Sequence, residues 1–155
     1  MEVLVIAAII VIFIIYIVIS NRPVYPYKKK NLLTKTEYAF YKILKEECDK
    51  RNYLICPKVR MEDFLEVTNE EEKMKYRGYI KSRHIDFIIC DEDLHMLCGM
   101  ELDDYTHNFK NAQKIDRFKN EVFKTIDLPL YRIQVGDDSY REQLKNVFHE
   151  LRKKY

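Results

Sequence analysis

The 155 residues are unevenly composed. Val3–Ile19 is an unbroken run of seventeen uncharged positions, residues 1–30 carry a net +3, and residues 31–155 carry a net −1. So nearly neutral a domain argues against a histone-like electrostatic coat on nucleic acid. Abundant charges and aromatics with only three glycines argue against long disorder. Four cysteines without C-x-x-C spacing argue against a zinc ribbon or a disulfide scaffold.

The apolar run reads as a transmembrane anchor over 1–20. As a helix its seventeen residues reach about 26 Å, and Met1 and Ser20 can complete the span of a bilayer core of about 30 Å. No basic n-region and no small-residue cleavage site accompany it, which favours an anchor over a cleaved signal. Arg22 and Lys28–Lys30 follow the span and place the remainder in the cytoplasm by the positive-inside tendency. Residues 21–31, with Pro23 and Pro26, form a short basic linker, and 32–155 form one domain.

Thr34-x-x-Glu37 is a capping box with Leu33 and Tyr38 as its staple. It predicts a helix to about Lys50 that buries Tyr38, Tyr41, Leu44 and Cys48. Tyr53–Val59 reads as a strand, and Pro57 assigns it to a sheet edge or a bulge. Met61–Tyr79 is charged and reads as helix or loop, with Glu70–Glu72 as a solvated helix start. His84–Cys90 and Met96–Asp103 form strands around the polar turn at Asp91. A helix from about Asn108 to Ile126 follows, its apolar stripe formed by Ala112, Ile115, Phe118, Val122 and Ile126. Leu128–Val135 is a strand, and Asp137 or Asp138 caps a last helix to about Lys153. The order defines an α/β or α+β domain, a sheet covered by helices.

The hairpin concentrates the chemistry. Gly99, Glu101 and Asp103 share one face of their strand. A loop at Glu92–His95 sets Asp86 opposite Glu101, and like charges so opposed are destabilising. Solvent, neighbouring Arg or Lys, or a hard divalent cation can relieve that repulsion. Mg²⁺ suits one or two carboxylates and keeps waters for a phosphate substrate. Lys119 falls within the apolar stripe and Asp116 at its margin. Lys119 either snorkels past the rim or brings its ammonium to the carboxylates. His107 is a solvated loop histidine, or a proton donor or phosphate contact beside the acidic strand. Arg132 contacts a phosphate or pairs with Asp116 or Asp103. Cys90, Cys98, His95 and His107 fit no zinc spacing, and all four cysteines read as buried free thiols. No phosphate-binding glycine loop and no G-x-S-x-G are present.

The stretch from Leu32 to about Gln134 resembles the bacterial "domain of unknown function 2726" family. More remotely it is similar to the very-short-patch-repair endonuclease group of the restriction-endonuclease-like PD-(D/E)XK superfamily. The resemblance rests on Arg83-His-Ile-Asp86-Phe-Ile-Ile-Cys-Asp91, Glu101-Leu-Asp-Asp-Tyr-Thr-His107, Asp116-x-x-Lys119 and Pro129-Leu-Tyr-Arg132-Ile133. It implies an αβββαβ core with a mixed sheet, preceded here by one transmembrane helix. It implies a catalytic set of Asp86, Glu101, Asp103, His107 and Lys119, with Asp86, Glu101 and the Leu102 carbonyl holding Mg²⁺ or Mn²⁺. Arg132 is the implied substrate contact and nucleic acid, DNA rather than RNA, the implied partner. The motif's lysine belongs two residues after Glu101, where Asp103 stands, so His107 or Lys119 takes its place. Glu37 can also enter such a site, although capping accounts for it. The rival reading is an inactive module of the same fold that binds nucleic acid or a protein at the membrane.

Overall fold

The computed structural model describes residues 1–22, 25–103, 110–136 and 140–154, with the backbone alone for 110–113. Backbone contacts divide the chain into two compact units, Met1–Asn31 and Leu32–Tyr155. The first is helix α1, Glu2–Ser20, whose side chains are all exposed and which is long and apolar enough to cross a membrane.

The second unit contains α2 (Lys35–Asp49), β1 (Leu54–Arg60), a 3-10 turn (Met61–Asp63), α3 (Lys73–Ile80), β2 (His84–Cys90), β3 (Met96–Asp103), α4 (Lys110–Thr125), β4 (Leu130–Gln134) and α5 (Tyr140–Lys154). The sheet order is β1-β2-β3-β4. The first two pairings are antiparallel and β3–β4 is parallel, so α4 is the crossover. The result is a mixed α/β domain with a four-stranded sheet flanked by helices.

The capping box at α2 is complete. Thr34 N–H donates to Glu37 Oε2 at 2.8 Å, and Glu37 N–H donates to Thr34 Oγ1 at 3.3 Å. The buried face differs from the expectation. Tyr38 is 55% exposed, while Phe40, Leu44 and Cys48 are buried. The reason is helix rotation: Phe40 packs on Phe87 of β2 and Tyr140 of α5, which turns Tyr38 outward onto Tyr41.

β1 is an edge strand, as Pro57 requires, because a residue without an N–H tolerates an unpaired neighbour. The hairpin turn is held by Asp91 Oδ1, which accepts from Asp93 N–H at 3.0 Å and His95 N–H at 2.8 Å. Alternation divides the two central strands between two cores. Phe87, Ile89, Cys98 and Met100 face α2 and α5, while Ile88 and Cys90 pack with Phe123 of α4, Met61 and Ile80. Cys48, Cys90 and Cys98 are buried free thiols, but Cys56 on the edge strand is only half-buried.

Helix α4 also departs from the expected stripe. Ile115 and Ile126 are exposed, and among the described side chains of the helix Lys119 and Phe123 are the buried ones. The cause is Gly99. A Cβ there would stand 2.6 Å from Phe123 Cε1, so the missing side chain on β3 admits the phenyl ring and fixes the rotation of the helix. The Ala112 side chain and the capping candidates Asp137 and Asp138 lie outside the described residues, as does Pro23 of the linker.

Candidate functional site

The β2–β3 register pairs Phe87 with Met100, Ile88 with Gly99 and Ile89 with Cys98. Continued by one position, it sets Asp86 opposite Glu101. Both carboxylates are largely buried, at 9% and 7% exposure. The expected repulsion is relieved by cations from three different elements.

Lys119 on α4 lies one turn before Phe123, and Glu101 lies two residues after Gly99 on the same strand face. The close approach at Gly99 therefore sets lysine over glutamate, and Lys119 Nζ is 2.6 Å from Glu101 Oε1. Lys119 does not snorkel past the rim; it is 8% exposed. Even with that partner, burial pushes the Glu101 carboxyl up to about 7, with Asp86 adding to the rise.

Asp86 is held from both sides. Its Oδ2 accepts the Leu102 N–H at 3.0 Å, and its Oδ1 accepts Lys58 Nζ at 2.7 Å. Lys58 Nζ also reaches Glu37 Oε1 at 2.5 Å. Burial opposes the charge on Lys58, but the two carboxylates more than offset it and its pKa is raised. Burial likewise raises Glu37, and Lys58 with the Thr34 bonds outweighs it, so Glu37 lies below its ordinary value. Glu37 thus caps α2 with one oxygen and enters the acidic cluster with the other.

Arg132 stands opposite Glu101 in the parallel β3–β4 register. Its guanidinium bonds to Asp103 Oδ1 at 2.9 Å and Asp116 Oδ1 at 3.1 Å, with Asn120 Oδ1 at 3.2 Å. Both carboxylates weighed as its partners are engaged at once, and Asp103 is neutralised from β4. His107 lies outside the described residues.

Sequence reasoning passed over two residues here. Lys58 lies in an edge strand of ordinary composition; the β1–β2 register, continued between Pro57 and Val59, sets it opposite Asp86, where it adopts a φ of +55°. That angle depends on the pairing of β1, which composition does not report. His84 lies two residues before Asp86 on β2. Desolvation, with the Lys58 and Lys119 ammoniums, holds its imidazole below the ordinary histidine value. Its alternation with Asp86 was the available signal.

Among the described residues no group of three or more His, Cys, Asp and Glu side chains is arranged to hold a metal ion. The remaining donor set is the carboxylate pair Asp86 and Glu101, whose hard oxygens fit a water-retaining cation rather than zinc. The two lysines show that these carboxylates demand positive charge at their oxygens.

A mixed sheet with an acidic pair held by lysines defines a class of α/β domain but no particular protein. The family comparison goes further. Residues 29–151 match the family described as "Protein of unknown function (DUF2726)", and the chain belongs to that family. It is also similar to a protein of Haemophilus influenzae (strain ATCC 51907 / DSM 11121 / KW20 / Rd) described as uncharacterized. The two are 26% identical over 132 residues, covering 77% of this chain and 67% of the relative. No solved structure matches the chain at a significant level.

Proposed function

We propose that this protein is a membrane-anchored, metal-dependent nuclease of the restriction-endonuclease-like PD-(D/E)XK type. Its substrate is nucleic acid, DNA rather than RNA, met at the cytoplasmic face of the membrane. The observation that carries the reading is the pair Asp86 and Glu101, opposed on neighbouring strands and compensated by the partly buried Lys58 and the buried Lys119. The order α2-β1-α3-β2-β3-α4-β4 supports it, being the αβββαβ sequence of that superfamily with the short α3 inserted after β1.

Asp86, Glu101 and the Leu102 carbonyl would hold Mg²⁺ or Mn²⁺. The bound ion would lower the pKa of a water and offset charge on the scissile phosphate. The protein supplies the orientation. The Leu102 N–H fixes the Asp86 carboxylate, and Gly99 brings Lys119 close enough to present positive charge beside Glu101. Arg132, engaged by Asp103 and Asp116, clamps α4 to the end of the sheet. His107 completes the proposed set as proton donor or phosphate contact.

One observation favours a second reading. Asp103 stands where the motif has its lysine, and its salt bridge to Arg132 gives it a structural task. An inactive module that binds nucleic acid or a protein partner at the membrane would look the same there.

The full chain in detergent micelles, titrated with Mn²⁺ by calorimetry and then offered labelled DNA and RNA, separates the two. The nuclease reading expects one binding event and metal-dependent cleavage, both lost in folded Asp86→Asn and Glu101→Gln. Nucleic-acid binding that ignores Mn²⁺ and survives both substitutions selects the inactive module.

A further inference from the structure

Lys58 is the least expected member of the site, and its geometry is costly. It is a non-glycine residue at φ +55° inside a strand, between Pro57 and Val59, and left-handed backbone is unfavourable for a side chain of this kind. Flanking positions keep the ladder with β2, with Pro57 opposite Phe87 and Val59 opposite Ile85. The unbroken register on both sides sets Lys58 opposite Asp86, so the costly backbone angle falls at the position that faces the carboxylate. The ammonium it delivers touches one carboxylate on β2 and another on α2, and the lysine side chain is 19% exposed.

This arrangement leaves Asp86 without an idle oxygen. One accepts the Leu102 N–H and the other accepts Lys58. A divalent cation approaching Asp86 meets an ammonium already bound where positive charge is needed. Lys119 differs: it stands on Glu101 and has no contact with Glu37 or Asp86 among the described bonds.

We propose that Lys58 is the built-in counter-ion of this site, competing with a divalent cation for the Asp86 carboxylate and so setting its metal affinity. The proposal rests on the reading of Asp86 as a metal-binding residue. Displacement by the metal frees the ammonium, still tethered at the site, to meet an anion there. It thereby takes up the charge role that the residue two positions after Glu101 does not fill. Lys58 is a positioning residue in the metal-free protein, and its removal should tighten metal binding while loosening the fold.

The test is calorimetric titration of the full chain in micelles with Mn²⁺ alone, comparing wild type, Lys58→Gln, Lys58→Met and Lys58→Arg. Thermal unfolding is followed with and without the metal. Loss of the competing charge should tighten Mn²⁺ binding by about tenfold in the Gln and Met variants and leave Arg near wild type. Those two variants should melt lower without Mn²⁺ and recover more on adding it than wild type does. If Lys58→Gln does not fold alone, folding driven by Mn²⁺ gives the same support. Wild-type binding that is unchanged or weakened in both neutral variants overturns the counter-ion role and leaves the metal site standing. Absence of Mn²⁺ binding in every protein overturns both.

Discussion

Glu101 is a carboxylate that the fold buries beside a lysine, and burial dominates its titration. Its pKa in the folded protein is about 7, against 4.5 for an unperturbed glutamate. Between those values the folded state holds a proton that the unfolded chain has released. Stability contributed at this residue is therefore present at low pH and is lost as pH rises through 4.5 to 7. Metal-free wild type and Glu101→Gln, unfolded in urea at several pH values, measure this directly. The difference should move in favour of wild type as pH falls through that window. A gap that does not change with pH would show that Lys119 keeps Glu101 charged throughout.

At the scale of elements, Gly99 and α4 act as one unit. The glycine admits Phe123, the ring fixes the rotation of the helix, and the rotation delivers Lys119 to Glu101. A Cβ at this position must displace the aromatic ring or the helix. Gly99→Ala should cost about 1–3 kcal/mol in urea unfolding, the range for overpacking a filled core. Its effect should extend beyond stability, because Lys119 moves with the helix and any metal affinity of the site should change too. Gly78, where an added Cβ meets nothing within 4 Å, is the control: Ala there should be tolerated. The expected apolar stripe of α4 held in part: Phe118 and Val122 pack against the core, while Ile115 and Ile126 are exposed. Counting apolar residues ranked Ile115 and Ile126 above a lysine, whereas the sheet offers an ion partner at Glu101 and a hole at Gly99.

For the whole molecule, the division is between an exposed apolar helix and a packed α/β unit. The side chains of α1 are exposed, and the seventeen uncharged residues Val3–Ile19 are costly to hold in water. The full chain should sediment with membranes and resist alkaline carbonate extraction, while residues 32–155 should remain in the supernatant. Release of the full chain by carbonate would exclude a spanning anchor.

Local pattern alone determined much of this protein. Capping at Thr34 and Glu37, the limits of β2 and β3, the hairpin register and the edge character of β1 all follow from short-range geometry: alternation, turn chemistry and a proline without an N–H. The acidic face was legible for the same reason, since residues two apart on a strand share a side. Of the neutralising charges, Lys119 and Arg132 were legible only as one alternative each, and Lys58 was not foreseen. Lys58 reaches Asp86 from 28 residues away, Lys119 reaches Glu101 from 18, and Arg132 reaches Asp103 from 29. Each contact depends on a backbone angle, a helix rotation or a parallel crossover set by packing. Periodicity specifies which face a residue occupies; the partner across that face is decided only when the sheet and its helices close on one another.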